Sequence, residues 1–232
     1  ELVKSVPPAI TADTGMDVLT HAIESYVSVM ASDYTRGLSL QAIKLVFENL
    51  EHSYRFGDEE SREKMHNAST MAGMAFANAF LGMSHSMAHK IGGRFHTVHG
   101  RTNAILLPYV IRYNGTRPSK TTTWPKYNYW KADEKFQDIA RMLGLPHSTP
   151  EEAVAAYAKA VYELGEKVGI KMNFKDQGID EQEWKKYTHE LALLAYEDQC
   201  SPANPRLPMV ADMEEIMNDA YYGYKERPGR IK

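Results

Sequence analysis

Apolar residues recur along this chain at the spacing of an amphipathic α-helix, and this periodicity limits the folds open to it. In the first such segment, residues 11 to about 26, Met16, Leu19 and Ile23 share one face. Thr11 and Asp13 follow a proline pair and are the candidate N-caps of this helix. Alternating patterns typical of strands are nearly absent. The sequence therefore predicts an all-α, multihelical fold.

Eight further segments carry helical signals. Glycines or prolines separate most of them, as is common at helix ends. In the third helix of the chain, the alanines and Gly73 of the run MAGMAFANAF are expected to allow close contact between helices. In the apolar run NAILLPYVIRY, Pro108 is expected to kink the helix or to lie near its end. The predicted segments are residues 33–56, 59–80, a short helix from about 83, 101–113, 133–143, 150–168, 181–196 and 211–221.

The chain of 232 residues is long enough for one large domain. We expect a single helical domain over residues 1–232. Turn-forming residues fill the stretch NGTRPSKTTTWPKYNYW, which predicts a surface loop over about 114–132, and its tryptophan and tyrosine content argues that the loop packs against something. A C-terminal helical subregion is expected to follow over about 133–232.

Composition excludes several classes of function. The net charge is −3 and the basic residues are dispersed, so neither a nucleic acid nor a membrane surface is an expected partner. No apolar run approaches the roughly 18 residues of a membrane span. Cys200 is the only cysteine, so no internal disulfide is possible and a cytoplasmic protein is the default expectation.

The chemistry of the chain is concentrated in the stretch GMSHSMAHKIGGRFHTVHG, residues 82–100. It contains four of the nine histidines, His85, His89, His96 and His99. Structural needs rarely call for histidine at this density, and imidazole serves as a metal ligand or a proton carrier near neutral pH. The Gly92–Gly93 pair is expected to end the helix that carries the first two and to turn the chain back. The other histidines outside helix 1 lie in polar surroundings and are expected at the surface: His52, His66, His147 and His189.

A second pair of candidate ligands lies on the first helix. Asp17 and His21 are four residues apart and so face the same way on neighbouring turns. His85 and His89 have the same spacing, and spacing alone therefore favours a site made of these two pairs, without excluding His96 or His99. Such a pair is also common as an exposed polar couple. Carboxylate and imidazole ligands without thiolate suit zinc, iron, manganese or nickel.

Three runs, TGMDVLTHAIESYVS, GMSHSMAHKIGGRFHTVHG and NAILLPYVIRYN, resemble those of the iron-containing (group III) alcohol dehydrogenases. The similarity extends along nearly the whole chain. The ending DQCSPANPRLPMVADMEEIMNDAYYG and the FHTVHG variant are most similar to the alcohol dehydrogenase part of bacterial bifunctional aldehyde-alcohol dehydrogenases. The resemblance implies the helical C-terminal domain of that fold and interconversion of acetaldehyde and ethanol with NAD(H).

The resemblance also implies roles for individual residues. The metal, usually ferrous iron and possibly zinc, would be held by Asp17, His21, His85 and His99. His89 would then be a non-ligand histidine beside the substrate and the nicotinamide, acting as general acid or base. For the substrate pocket, the resemblance suggests Phe76 as an apolar wall, although a core aromatic residue is equally expected there, and leaves His96 open. Cys200 receives no role.

The sequence lacks a site for the coenzyme. No two of the 15 glycines are separated by a single residue, so the GxG core of the dinucleotide fingerprint is absent. The family carries NAD on a separate N-terminal α/β domain, and this chain begins at Glu1 without an initiator methionine, as a fragment would. We therefore expect the isolated chain to bind a metal with little or no turnover, and to need that NAD-binding domain as a partner. Homo-oligomers or filaments are possible, as in the bifunctional relatives.

Two alternatives belong to other classes of protein. A helical metal-dependent hydrolase could use the same ligands, because a metal-bound hydroxide needs the same Lewis acid. The lack of a glutamate near the histidines to act as general base counts against it. A non-catalytic assembly module with a structural metal is the second alternative, and a closed set of four ligands would favour it.

Overall fold

Helices account for the regular structure of the chain in the computed structural model, which describes residues 3–118 and 130–223. Within those residues there is no β-strand, so the predicted all-α class is confirmed. The described helices are α1 (Pro8–Val27), α2 (Asp33–Arg55), α3 (Glu59–Ala79), α4 (Met83–Phe95), α5 (His99–Gly115), α6 (Ala132–Met142), α7 (Pro150–Lys167), α8 (Glu181–Tyr196) and α9 (Val210–Tyr222). A short 3₁₀ turn, Ser201–Ala203, precedes α9.

Several helices begin where a side chain can cap the free backbone amides. The Ser32 hydroxyl accepts a hydrogen bond from the amide of Thr35 at the start of α2, and Asp58 accepts one from the amide of Ser61 at the start of α3. Asp180 caps α8 by accepting from the amides of Gln182 and Glu183. These caps explain why the predicted starts of α2, α3 and α8 agree with the structure.

The predicted N-caps of α1 are wrong. This helix begins at Pro8 with Pro7 as its N-cap, and Thr11 and Asp13 lie inside it. Proline is well suited to the first helical position, because its fixed φ is helical and its missing amide hydrogen is not needed there. The Thr11 hydroxyl donates to the carbonyl of Pro7, and Asp13 binds Arg101 on α5.

The turn between α4 and α5 is also made differently from the prediction. Gly92 and Gly93 lie inside α4, which continues to Phe95, and the chain turns at His96 in the left-handed conformation with φ 55°. Phe80, which follows α3, is the other non-glycine residue with positive φ among the described residues, at 60°. Two backbone positions that disfavour side chains therefore flank the helix that carries His85 and His89.

Helix α1 lies against α2, α3 and α5, and the apolar faces of these helices share one buried core. The predicted close packing of α3 is supported by Ala72, Ala75 and Ala79, which are buried. Gly73 has no part in it, since a Cβ there would meet nothing within 4 Å. Pro108 lies inside α5 and does not end it, because the helix continues to Gly115.

The later helices complete the fold around α4 and α5. Helix α7 packs on α5 and α6, whereas α8 packs on α4 and α9. The indole of Trp184 on α8 is fully buried and stacks on Phe174 and Tyr221. Most of the predicted loop, residues 119–129, lies outside the described residues, but Trp130 donates its indole hydrogen to the carbonyl of Asn114. None of the described helices has the length and apolarity that a membrane span requires.

Candidate metal centre

Three helices bring the predicted metal ligands together. Asp17 and His21 lie one turn apart on α1, with His21 Nδ1 3.7 Å from Asp17 Oδ2. His85 comes from the first turn of α4 and is buried, and its Nε2 lies 3.7 Å from Asp17 Oδ1. The centroids of the His21 and His85 rings are 4.5 Å apart. One carboxylate thus stands between two imidazoles from different helices.

His99 is the first residue of α5, and its Nε2 lies 3.5 Å from Asp17 Oδ1. The next residue, Gly100, explains this approach. A Cβ at Gly100 would lie only 2.0 Å from the carbonyl oxygen of Asp13 on α1, so the two backbones touch where no side chain intervenes. Arg101 reinforces the contact with two hydrogen bonds to the Asp13 carboxylate, at 3.0 and 2.9 Å.

The donor set fits a divalent metal ion. Four ligands at about 2.1 Å from one ion, in tetrahedral arrangement, stand about 3.4 Å from one another. Asp17 Oδ1 is 3.7 Å from His85 Nε2 and 3.5 Å from His99 Nε2, and Asp17 Oδ2 is 3.7 Å from His21 Nδ1, which is close to that value. Asp17, His21 and His85 offer ligand atoms that all lie within 4.8 Å of one another, and His99 joins them through its approach to Asp17. His85 Nε2 is buried and has no hydrogen-bond partner, although a buried polar nitrogen normally has one. A metal ion would satisfy this atom.

The environment keeps two of these imidazoles in the form that binds metals. Burial, together with the neighbouring His85, lowers the pKa of His21 to about 4. Burial also lowers the pKa of His99, whereas Asp17 acts in the opposite direction. A histidine must be neutral to donate a lone pair, so both rings are prepared for a cation at neutral pH.

His89 lies next to this cluster and has a different partner. Its Nδ1 is 3.1 Å from Asp198 Oδ2, and its ring stacks on that of His99 with centroids 5.5 Å apart. Its ring centroid is 6.1 Å from that of His85. Because Nδ1 is engaged by the carboxylate, Nε2 is the nitrogen of His89 that remains for other chemistry.

The two predicted pocket residues lie in different places. Phe76 on α3 stacks on His21, with ring centroids 4.6 Å apart, and so borders the cluster. His96 lies on the turn after α4 and lines a separate surface cleft of about 460 Å³ together with Arg94 and Asp180. No described contact joins His96 to the other histidines. Of the remaining histidines, His52, His66 and His189 are exposed as expected, and His147 is half-buried.

Comparisons with known proteins agree with this arrangement. The model of the Fe-containing alcohol dehydrogenase family, C-terminal, matches residues 11–221. This chain belongs to that family. An aldehyde-alcohol dehydrogenase of Streptococcus pneumoniae serotype 2 is 79% identical over 231 residues, which cover 100% of this chain and 26% of that relative. The chain therefore spans about a quarter of the length of such relatives.

Two more distant relatives extend the comparison. An NADPH-dependent butanol dehydrogenase of Clostridium saccharobutylicum is 44% identical over 223 residues, covering 96% of this chain and 54% of that protein. The solved structure of an alcohol dehydrogenase from Oenococcus oeni superposes with a TM-score of 0.83 at 34% identity, over 95% of this chain and 54% of that one. The fold is thus that of the helical C-terminal domain of iron-containing alcohol dehydrogenases.

The sequence analysis did not identify three polar residues that hydrogen-bond to the side chains of the cluster or to His89. Asn103 on α5 donates from Nδ2 to Asp17 Oδ1 at 3.0 Å. Glu24 on α1 lies 2.6 Å from His85 Nδ1, and Asp198 holds His89. Asn103 could have been suspected, because it lies four residues after His99 on the same helix face, and so could Glu24, which lies three residues after His21 on α1. The pairing of Glu24 with His85 spans 61 positions and that of Asp198 with His89 spans 109, so no local spacing indicates either pairing.

Asp198 is anchored by three donors. Lys90 Nζ lies 2.8 Å from Oδ2 and the amide of Cys200 donates to Oδ1 at 3.0 Å. Partial burial tends to raise the pKa of Asp198, but the hydrogen bonds from Lys90, Cys200 and His89 outweigh it and lower the pKa to about 2. An ionised Asp198 can only accept at this contact, so His89 Nδ1 is the donor and Nε2 is the ring nitrogen left free.

Glu24 bears on the alternative that the chain is a metal-dependent hydrolase. The sequence indicated no glutamate near the histidines that could act as general base, but Glu24 lies beside His85. Its carboxylate is buried, however, and both oxygens are engaged, by the amide of Ser84 and by His85 Nδ1. Such a group cannot approach a water molecule as a general base.

Proposed function

We propose that this chain is the metal-binding part of an alcohol dehydrogenase that interconverts acetaldehyde and ethanol with NAD(H). The observation that carries the proposal is the buried, unpartnered Nε2 of His85, which faces Asp17 in the midst of the histidine cluster. Membership of the family and the 79% identity to a pneumococcal aldehyde-alcohol dehydrogenase support the reaction. Cytoplasmic alcohol fermentation is the corresponding role.

The proposed ligands are Asp17, His21, His85 and His99, and the proposed ion is ferrous iron, with zinc as the other candidate. When bound, such an ion supplies a Lewis acid for the substrate oxygen. The side chains of Asp17 and His21 are about one-fifth exposed and that of His99 is 43% exposed, so the cluster opens towards solvent. An open side supports catalysis over a purely structural metal.

The residues of the chain would divide the remaining tasks. His89, with Nδ1 donating to Asp198, has Nε2 free to accept the proton released from an alcohol and to return it in the reverse direction. Phe76 would form an apolar wall that excludes water next to His21. For His96 we propose no part in this reaction.

The coenzyme would be held by a domain outside this chain, with which the cluster would be paired. NAD(H) is proposed from the resemblance to aldehyde-alcohol dehydrogenases, although the butanol dehydrogenase relative is named for NADPH. A homo-oligomer or filament of the intact protein remains part of the proposal. The isolated chain is expected to turn over little or not at all.

A chimera tests the reaction. This chain replaces the matching segment of the pneumococcal aldehyde-alcohol dehydrogenase, to which it is 79% identical. The chimera should reduce acetaldehyde with NADH, and His85→Ala in the chimera should abolish this activity. A chimera that folds and contains metal yet reduces neither acetaldehyde nor another short aldehyde would refute the proposed function.

Metal analysis of two variants tests the ligand set. His85→Ala should lose the metal, whereas His89→Ala should retain it, because His89 Nδ1 binds Asp198 and its ring is stacked beside the cluster. Both variants remove an imidazole from the same helix, so each controls for the other. A His89→Ala chain without metal would show that the spacing-based set containing His89 is the correct one.

A further inference from the structure

Glu24 is a buried carboxylate that family resemblance and sequence spacing leave without a role. It lies on α1 with only 2% of its surface exposed. Its Oε1 accepts a hydrogen bond of 2.7 Å from the amide of Ser84, and its Oε2 lies 2.6 Å from His85 Nδ1. Both contacts are made to the first turn of α4, where Gly82 is the N-cap and supplies no side-chain hydrogen bond.

These two contacts determine which ring nitrogen of His85 carries the proton. The amide of Ser84 can only donate, and the start of a helix favours negative charge, so Glu24 faces α4 as a carboxylate. A carboxylate oxygen this close to Nδ1 accepts the proton of that nitrogen. An imidazole that ligates a metal carries one proton, and with that proton on Nδ1 the lone pair lies on Nε2 of His85, which is the buried nitrogen without a partner.

We propose that Glu24 is a positioning residue that holds His85 as the Nδ1–H tautomer and thereby keeps Nε2 available to a divalent metal ion. Ligating histidines commonly donate their second ring hydrogen to a carboxylate, and loss of such a partner typically weakens metal binding about 10- to 100-fold. The inference rests on the proposed function only in assuming that the cluster binds a metal.

Glu24→Gln reverses the tautomer while preserving the shape of the side chain. The amide hydrogen of Ser84 still requires an acceptor, so the Gln carbonyl oxygen turns to Ser84 and the NH₂ group turns to His85 Nδ1. Nδ1 must then accept, and the ring proton moves to Nε2, where it points at Asp17. The change therefore blocks the metal-binding nitrogen without creating a cavity.

Two measurements on the full 232-residue chain test this role. In ¹⁵N-histidine NMR spectra of the metal-free chain near pH 8, His85 should show the Nδ1–H pattern in the wild type and the Nε2–H pattern in Glu24→Gln. In a chelator competition with Zn²⁺ as the probe, the affinity of Glu24→Gln should be about 10- to 100-fold lower than that of the wild type.

Ser25→Ala is the matched control. Ser25 is the next residue on α1, is fully buried and hydrogen-bonds Ser39 at 2.8 Å, on α2. Its loss should lower stability and leave both the His85 signals and the Zn²⁺ affinity unchanged. A wild-type His85 with the Nε2–H pattern would overturn the proposal even if the variant does not fold, and so would wild-type Zn²⁺ affinity in Glu24→Gln.

Neither measurement depends on turnover. A chain that binds Zn²⁺ through Nε2 of His85 but fails the acetaldehyde test in the chimera would refute the proposed reaction and support the role of Glu24. A chimera that reduces acetaldehyde, together with a Glu24→Gln chain in which His85 keeps the Nδ1–H tautomer, would support the proposed reaction and refute the role of Glu24.

Discussion

Gly100→Ala is expected to damage both the fold and the metal centre. Gly100 is the second residue of α5, directly after His99. A Cβ there would lie 2.0 Å from the carbonyl oxygen and 2.8 Å from the carbonyl carbon of Asp13, and 3.0 Å from Cβ of Asp17. Cβ contacts essentially never fall below 3.0 Å, and this one would be 2.0 Å. Helices α1 and α5 must therefore separate by about 1.0 Å or more at this point.

Two opposing effects set the magnitude. Replacing glycine by alanine inside a helix ordinarily stabilises it by about 0.8–1 kcal/mol. Here the contacts are with backbone that cannot rotate away, and overpacking of this kind costs about 1–3 kcal/mol or more. We expect a net loss of about 2 kcal/mol in the free energy of unfolding, which lowers Tm by about 4–8 °C in a chain of this size.

The metal centre should respond to the same displacement. His99 Nε2 is 3.5 Å from Asp17 Oδ1, and moving the start of α5 away from α1 widens this separation. The Zn²⁺ affinity of Gly100→Ala should therefore fall as well. Thermal unfolding of the metal-free chain measures the first effect, and chelator competition measures the second.

Gly73→Ala is the control. Gly73 lies in the middle of α3, and an added Cβ would meet nothing within 4 Å. Helix propensity alone then applies, and Tm should rise by about 2–4 °C, corresponding to about 1 kcal/mol. If Gly100→Ala raised Tm as Gly73→Ala does, the close contact between α1 and α5 would be wrong.

Three further predictions concern single residues. Burial lowers the pKa of His21 to about 4, so below about pH 6.5 the unfolded chain binds a proton that the folded chain does not bind. The metal-free chain should therefore lose stability as the pH falls from about 6.5 to 4. Urea unfolding at pH 7 and pH 5 measures this loss, which should be smaller in His21→Asn than in the wild type. Phe80→Gly should raise Tm by about 2–4 °C, because glycine removes about 1–3 kcal/mol of backbone strain at φ 60° and the Phe80 ring is half-exposed. This gain should exceed the entropy cost of the more flexible unfolded chain. An unchanged or lower Tm would contradict the prediction. Burial raises the pKa of Cys200 to about 12, so thiol reagents at pH 8 should modify it only when the chain unfolds, and rapid labelling of the folded chain would contradict its buried position.

Local sequence signals determined most helix boundaries because the interactions that set them are local. The apolar period predicts the starts of α2, α3 and α8, and in the structure the side chains of Ser32, Asp58 and Asp180 cap these helices at those points. The same reasoning failed at the end of α4, where glycine composition favoured a break at Gly92. In the structure, α4 continues through both glycines to Phe95, and the residue with the left-handed conformation is His96.

The candidate site divides in the same way. Spacing alone brought Asp17 and His21 to one face of α1, and the density of histidines marked residues 82–100 as the second half of the site. The choice between His89 and His99 as a ligand did not follow from spacing and came from the family resemblance. In the structure, the contact between α1 and α5 at Gly100 brings His99 to Asp17.

By itself, therefore, the sequence determined the all-α class and the family and indicated the candidate metal ligands, since each depends on neighbouring residues or on long motifs. Tertiary structure alone decided the partners of the histidines. Glu24 reaches His85 across 61 positions and Asp198 reaches His89 across 109, because helices distant in the chain pack side by side. Those contacts select the tautomer of each ring, and hence which nitrogen is available to a metal or a proton.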